Sequence, residues 1–232
     1  MIVAGGLGTR LRSVVQDRPK VLALVGGRPF LEFLFDRLIN FGISKVVLCT
    51  GYMAEKVEEL YGTSYQSLSI SYSREETPKG TGGAIRDATH LISSRSVLVL
   101  NGDSIADVDL GQFIAGHSNH LRKISLVVFK VPDVSRYGNI LFESASGKVL
   151  AFKEKKMSTG EGWINAGVYL IERESLQELP PQTPLSLESD VFPRWIEDEE
   201  VFCYPLSHGT FVDIGTPDSY AEANALVNKG KL

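Results

Sequence analysis

Residues 1–12 read Met1-Ile2-Val3-Ala4-Gly5-Gly6-Leu7-Gly8-Thr9-Arg10-Leu11-Arg12. A short apolar run, Met1–Ala4, stops at two glycines, and cations follow. A strand that enters a Gly-rich turn exposes backbone N–H groups that can surround a phosphate, and glycine lets a ligand approach the chain closely. Arg10 and Arg12 add charge, and Arg18, Pro19 and Lys20 come shortly after. The stretch is not a P-loop, because no Gly-Lys-Ser/Thr follows the glycines. It is not the dinucleotide fingerprint either, because Gly6-Leu7-Gly8 is followed three positions on by Leu11. Without Arg10 and Lys20, an ordinary tight turn would explain it equally well.

Working outward, apolar runs alternate with helical patterns. Phe30–Phe41 reads as a buried helix closed by Gly42. Lys45–Thr50 reads as a buried strand, Ala54–Leu60 as a short helix and Leu68–Tyr72 as a strand. Gly83–Ile92 has helical spacing, and Ser96–Leu100 is a β-branched strand running into Asn101-Gly102-Asp103. This alternation predicts an α/β fold with a largely parallel sheet. The second half predicts strands at Ile124–Val131, Asn139–Glu143, Lys148–Lys153, Trp163–Ile171, Val201–Pro205 and Thr210–Asp213. It also predicts helices at Leu187–Ile196, despite Pro193, and at Pro217–Asn228 with Pro in its first turn. No linker or repeat divides the chain. The expectation is a single Rossmann-like domain over 1–232, with a mostly parallel mixed sheet flanked by helices.

Composition narrows the function classes. The 232 residues carry 24 Lys+Arg and 28 Asp+Glu, a formal net charge of −4. That argues against a sequence-independent nucleic-acid partner, which needs a basic surface. Hydrophobic residues make up 43% and charged residues 22%, ordinary for a globular domain with a sizeable core. No apolar run reaches membrane-spanning length, and the N-terminus does not read as a secretory signal. The two cysteines, Cys49 and Cys203, do not make a disulfide framework. The expected location is therefore the cytoplasm, with no membrane partner.

The motifs, taken in order, carry a resemblance. Gly5-Gly6-Leu7-Gly8-Thr9-Arg10-Leu11 with Pro19-Lys20 resembles the signature of the sugar-phosphate nucleotidylyltransferases. Gly80-Thr81-Gly82-Gly83-Ala84, Asn101-Gly102-Asp103, Arg136-Tyr137-Gly138, Glu154-Lys155, Asn165-Ala166-Gly167-Val168-Tyr169 and Asp213-Ile214-Gly215-Thr216-Pro217 continue the match along nearly the whole chain. It is most similar to the compact branch of guanylyl- and uridylyltransferases. The segment before Gly5 is shorter than usual, and Ser13-Val14-Val15 replaces the Pro-x-Thr after Leu11.

The resemblance implies the nucleotide-diphospho-sugar transferase type of fold, with a nucleotide-binding half (1–110) and a sugar-phosphate-binding half (111–232). It implies a nucleoside triphosphate and a sugar 1-phosphate as partners, and a homo-oligomer is compatible with it. It implies catalytic roles for Arg10, Lys20, Asp103 and Asp213. Nucleotide contacts are implied at Ala4, Gly5, Gly6, Gly8, Thr9, Glu75, Gly80, Thr81 and Gly102. Sugar-phosphate contacts are implied at Gly138, Glu154, Lys155, Asn165, Gly167 and Glu188. Asp103 and Asp213 each end a strand-like run, and strand ends gather on one edge of an α/β sheet. Two carboxylates suit Mg²⁺, which keeps waters and takes phosphate oxygens as further ligands.

Other constellations have plainer readings. Lys153 and Lys156 read as a solvated strand end. Asp190 beside Glu188 fits a helix start, which attracts carboxylates anyway. His117 and His120 are spaced i, i+3, but no cysteine or acid completes a zinc set, and they are expected as solvated helix-end residues. Asp107 and Asp109 lack the glycine and terminal Glu of a calcium loop.

A sugar phosphate is mostly dianionic at neutral pH, its second pKa being ~6, so it can attack an α-phosphorus without a general base. This accounts for motifs that contain no Ser-His-Asp or Cys-His set; positioning and charge neutralisation carry the reaction. Glu75, five positions before Gly80, bears on the base. Family members that take uracil or thymine commonly carry glutamine there. An ionised carboxylate only accepts, which suits the paired donors of guanine and makes GTP the expected donor. A non-catalytic sugar-nucleotide-binding subunit and a glycosyltransferase remain open. The first has no need of both acids and both cations, and the second usually uses one Asp-x-Asp, a form that only Asp107-Val108-Asp109 takes here.

Overall fold

Lys45–Thr50 is buried along all but its first residue, as a strand covered on both faces must be. The computed structural model describes residues 1–153, 159–198 and 201–230. In chain order the first half holds β1 (Ile2–Val3), β2 (Leu24–Val25), β3 (Arg28–Pro29), α1 (Phe30–Asn40), β4 (Lys45–Thr50), α2 (Ala54–Tyr61), β5 (Ser64–Tyr65), β6 (Leu68–Arg74), α3 (Gly80–Ala88), β7 (Ser96–Asn101) and β8 (Ser104–Ala106). Then follow α4 (Leu110–Asn119), β9 (Ile124–Val131), β10 (Asn139–Phe142), β11 (Val149–Lys153), β12 (Gly162–Glu172), α5 (Arg173–Gln177), α6 (Phe192–Asp198), β13 (Val201–Leu206), β14 (Phe211–Asp213) and α7 (Pro217–Asn228).

Eight strands form the central sheet, in the order β13-β9-β12-β7-β1-β4-β6-β5. β7, β1, β4 and β6 run parallel, and β13 runs parallel to β9. Only β12 and the short β5 run against their neighbours. The mostly parallel mixed sheet expected from the alternation is therefore present. Of the C-terminal strands, β9, β12 and β13 extend the same sheet, whereas β10 and β11, expected to join it, form a separate antiparallel hairpin; a core cluster lies on each face. Cys49 and Cys203 are free and buried.

Three more expectations need correction. Thr210–Asp213 does not join the main sheet. Its last three residues pair antiparallel with β8, a strand too short to read from sequence. Leu187–Ile196 is not one helix. A wide π turn over Leu187–Val191 comes first, and α6 begins at Phe192. Pro193 thus falls in the first turn of α6, where its missing N–H leaves no bond unmade. His117 is not solvated. It is 2% exposed, with Nδ1 2.9 Å from Ser125 Oγ and Nε2 3.4 Å from Glu172 Oε1. Its ring faces the sheet from α4, whereas His120, one residue beyond that helix, is exposed.

Candidate active site

The carboxyl ends of β1, β6 and β7 open into loops that form one wall of a cleft of about 920 Å³. The β10–β11 hairpin, Asn165 on β12, the π turn and the loop after β14 form the facing wall. This is where parallel α/β sheets bind ligands, outside the carboxyl edge. Among the sequence-predicted residues, Ala4, Gly5, Gly6, Arg10, Lys20, Glu75, Gly80, Thr81, Asp103, Gly138, Asn165, Glu188 and Asp213 border it. Gly8, Thr9, Gly102 and Gly167 do not. Glu154 and Lys155 lie outside the described residues.

The glycines off the lining have structural work. Gly167 has φ +73°, and a Cβ there would lie 2.6 Å from Ser104 Oγ. Its N–H donates to Asn165 Oδ1 at 3.0 Å, where the β12–β9 register shifts. That bulge turns Asn165 toward the cleft, so Gly167 shapes the site through its backbone. Gly102 packs under β1, its N–H donating to Val3 O at 2.9 Å. Gly8 O accepts from Leu11 N at 2.9 Å and closes the glycine turn.

At one end of the cleft, the β8–β14 ladder brings two distant acids together. Asp213 stands opposite Ser104, and Ile214 N donates to Asp103 O at 3.0 Å. Asp103 Oδ2 accepts from the Lys20 ammonium. Asp213 Oδ1 accepts from Gly215 N at 2.8 Å and Ser219 Oγ at 2.9 Å. Its Oδ2 accepts from the Tyr137 hydroxyl, and Arg136 Nη2 stands 3.6 Å away. Burial, helped by the bond to Asp213, pushes the Tyr137 pKa up, so the phenol stays a donor. Arg10 makes no hydrogen bond or ion pair among the described residues and reaches toward Gly215.

Along the wall formed by β6 and α3, Glu75 N donates to Thr50 O at 2.8 Å. Its Oε2 accepts from Lys79 N at 2.5 Å. A Cβ on Gly5 would lie 2.6 Å from Glu75 Oε1, so a larger residue there would push this carboxylate aside. Burial raises the Glu75 pKa, and the Lys79 N–H offsets part of that. Across from it, Thr81 Oγ1 and Ser186 Oγ donate to Glu188 Oε2 at 3.2 and 3.1 Å. Ser186 Oγ also accepts from Ser189 N, while Asp190 accepts from Ser186 N at 2.7 Å. Of the two adjacent acids, Glu188 therefore faces the cleft and Asp190 caps the chain, as the start-of-helix reading expects.

Several cleft residues escaped the sequence reading. Lys153, expected as a solvated strand end, borders the cleft at the end of β11. Arg136 and Tyr137 stood in a quoted segment without a role. Ser186 carried a signal, the Ser-x-x-Ser spacing of a capped turn.

The arrangement suits a polyanion and a hard cation. Arg10, Lys20, Arg136 and Lys153 face Asp103, Asp213, Glu75 and Glu188 across one volume. Among the described residues, no group of three or more His, Cys, Asp or Glu makes a closed metal cage. Two adjacent carboxylates without soft donors fit a cation such as Mg²⁺ that completes its shell with water and phosphate oxygens.

Comparison with known proteins agrees with this chemistry. The Nucleotidyl transferase family model matches residues 1–230. The chain is 37% identical to D-glycero-alpha-D-manno-heptose 1-phosphate guanylyltransferase of Aneurinibacillus thermoaerophilus, covering 96% of this chain and 95% of that one. It is 34% identical to the enzyme of the same name from Campylobacter jejuni, covering 95% and 96%. The crystal structure of HddC from Yersinia pseudotuberculosis complexed with GMP-PN superposes with a TM-score of 0.84 at 30% identity, over 97% of both chains. Sequence motif, sheet topology and cleft chemistry converge with matches over nearly its full length: the chain belongs to the nucleotidyl transferase family.

Proposed function

We propose that the protein transfers GMP from GTP to D-glycero-alpha-D-manno-heptose 1-phosphate and releases pyrophosphate. The observation that carries the reaction type is a short ladder that sets Asp213 opposite Ser104, next to Asp103, in a cleft that also holds Arg10 and Lys20. The choice of base rests on Glu75, whose half-buried carboxylate accepts from Lys79 N and lines the cleft, while guanine offers N1–H and N2–H₂ side by side. The choice of sugar rests on the relatives' names.

In this reading the sugar-phosphate oxygen attacks the α-phosphorus. A new P–O bond forms, the bridging α–β P–O bond breaks, and pyrophosphate leaves with the electron pair. The attacking dianion needs no base. Arg10 and the amides of the Gly5–Gly8 turn hold the β- and γ-phosphates, and Lys20 meets charge at the α-phosphate. Asp103 and Asp213 would hold Mg²⁺, which supplies charge neutralisation when bound. Lys155 takes the attacking phosphate, while Glu154, Glu188 and Asn165 accept or donate to sugar hydroxyls. Residues 1–110 form the nucleotide half and 111–232 the sugar half, although Asp213 crosses to the phosphates. Free, buried Cys49 and Cys203 suit a reducing cytoplasm. Among the described residues no helix is long and apolar enough to cross a membrane.

The test is a substrate matrix. Four nucleoside triphosphates are incubated with several sugar 1-phosphates, heptose and mannose among them, and pyrophosphate is measured. GTP with the heptose phosphate should give the highest kcat/KM. Higher kcat/KM with mannose 1-phosphate would reassign the sugar, and preference for UTP would reassign the base.

A further inference from the structure

Asp103 and Asp213 are neighbours held by different kinds of partner. Asp213 takes its hydrogen bonds from neutral donors, the Gly215 amide, the Ser219 hydroxyl and the Tyr137 phenol, with the Arg136 guanidinium farther out at 3.6 Å. The neutral donors orient its carboxylate, and only the more distant, more exposed Arg136 offsets its charge. The side chain of Asp103 has one partner among the described residues, the Lys20 ammonium, which does cancel it. The Lys20 side chain is 15% exposed and that of Asp103 33%, so water screens the pair only in part.

We propose that Lys20 is the resident counter-ion of this acid pair. It holds the place of a divalent cation in the free protein and gives up Asp103 only when a triphosphate is bound. The inference rests on Asp103 and Asp213 being cation ligands, as read above. Lys20 suits the exchange, because an ammonium on a four-carbon stem is a mobile point charge. Its Cβ sits under the glycine turn, 3.2 Å from where a Cβ on Gly8 would be. From that root the amine reaches Asp103 in the free protein and a phosphate held by the turn in the complex. Without nucleotide, a divalent cation must settle beside an ammonium already in place, and its affinity is low. With nucleotide, Lys20 has another anion to meet.

One substitution should therefore act with opposite signs on two ligands. Mn²⁺ binding is followed by the electron paramagnetic resonance of the free ion, with Mn²⁺ alone and with guanosine 5′-(β,γ-imido)triphosphate. The proteins are wild type, Lys20→Met, Lys20→Gln, Asp103→Asn and the double variant Lys20→Met/Asp103→Asn. Mn²⁺ alone should bind Lys20→Met about tenfold more tightly than wild type, matching the low end of the effect that a contacting charge has on a carboxylate's affinity for a proton. The gain should vanish in the double variant. The imidotriphosphate should bind Lys20→Met more weakly than wild type. A folded Lys20→Met or Lys20→Gln that binds Mn²⁺ alone no better than wild type overturns the proposal. If Asp103→Asn still abolishes Mn²⁺ binding by the nucleotide complex in that case, the metal reading stands and only the counter-ion role falls. If Asp103→Asn leaves that binding intact, the metal reading itself fails and the proposal falls with it.

Discussion

The two ends of β7 carry polar clusters with opposite fates. At its start, Glu172 accepts from Ser96 Oγ and, at 2.7 Å, from Arg95 Nε, while His117 bridges Glu172 and Ser125. Serine, histidine and carboxylate in that order have the connectivity of a nucleophile, a base and its orienting acid. Yet Ser125 is 1% exposed and His117 2%, under β-strands and α4. At the other end of β7, Asn101–Asp103 opens on the cleft, where Arg10 has no internal partner among the described residues and Asp103 is neutralised by a lysine that can move. A constellation of reactive types is thus no site when its serine and histidine are buried against each other, even though Arg95 at its edge is exposed. The cleft is a candidate site because it is open and Arg10 meets no partner there among the described residues.

The sharpest way to break this contrast is Asp103→Asn, which keeps the shape and removes the charge. Several kcal/mol of charge stabilisation would be lost, and each ~1.4 kcal/mol is tenfold in rate, so turnover should fall by about a hundredfold or more. Steady-state pyrophosphate release and far-ultraviolet circular dichroism check it. Near-normal turnover with an unchanged magnesium requirement would show that the pairing of Asp103 with Lys20 has no catalytic meaning.

Glu75→Gln tests the same contrast at the base. Glu75 is half-paired, one oxygen on Lys79 N and the other against the glycine loop. A hydrogen bond to a charged group contributes ~1.5–3 kcal/mol, so the GTP-over-UTP ratio of kcat/KM should fall by about ten- to a hundredfold. An unchanged ratio with weaker binding of both would make Glu75 a clamp on the Lys79 turn and nothing more.

The sequence made one end of β7 far more legible than the other. Gly5–Arg12 and Asn101–Asp103 were readable because a strand that ends in glycine and charge has few other uses. The long strands were readable because full burial leaves an unbroken apolar run. What was hidden depends on pairing across the fold. β8 has three residues, too few for a periodic signal, and Thr210–Asp213 reads as a strand without showing its partner, yet their ladder is what sets Asp213 beside Asp103. His117 looked solvated because the apolar pattern of α4 does not show which face meets the sheet. Tyr137 and Arg136 become partners of Asp213 only once β10 folds beside the loop after β14. Gly167, implied as a sugar contact, has a positive φ that serves a bulge, the other use of a glycine inside a strand.

Ser125→Ala probes the sealed cluster. It removes the partner of His117 Nδ1 and leaves that nitrogen buried without a bond, a cost of about 1–3 kcal/mol. Unfolding by urea should report that loss, while kcat and KM stay at wild-type values. A selective fall in kcat with native stability would mean that the buried triad reaches the chemistry after all.

The smallest effect is a pH dependence confined to the sealed end. Burial pushes the His117 pKa below its usual value, and the contact with Glu172 restores only part of it, while Arg122 and Arg95 lower it further. The folded protein therefore resists the proton that the unfolded chain accepts near pH ~6.5. Above that pH both states are neutral at this residue and it adds no pH dependence. Below it the unfolded state binds more protons, so stability falls as pH drops from about 6.5 toward the folded value. Glu172 acts separately. Burial raises its pKa, but bonds from Ser96, Arg95 and His117 outweigh that and lower it. Its contribution is present above the ordinary carboxylate range and is lost only at more acid pH. Urea midpoints from pH 7.5 to 5 should decline for wild type and run flatter for His117→Gln, which starts less stable because its bonds to Ser125 and Glu172 are disturbed. The Asp103→Asn protein should keep the wild-type slope, since its change lies at the open end. Parallel slopes for wild type and His117→Gln, or a His117 ring that titrates at or above 6.5 by nuclear magnetic resonance, would mean that water reaches the cluster and that the two ends of β7 differ less than their geometry indicates.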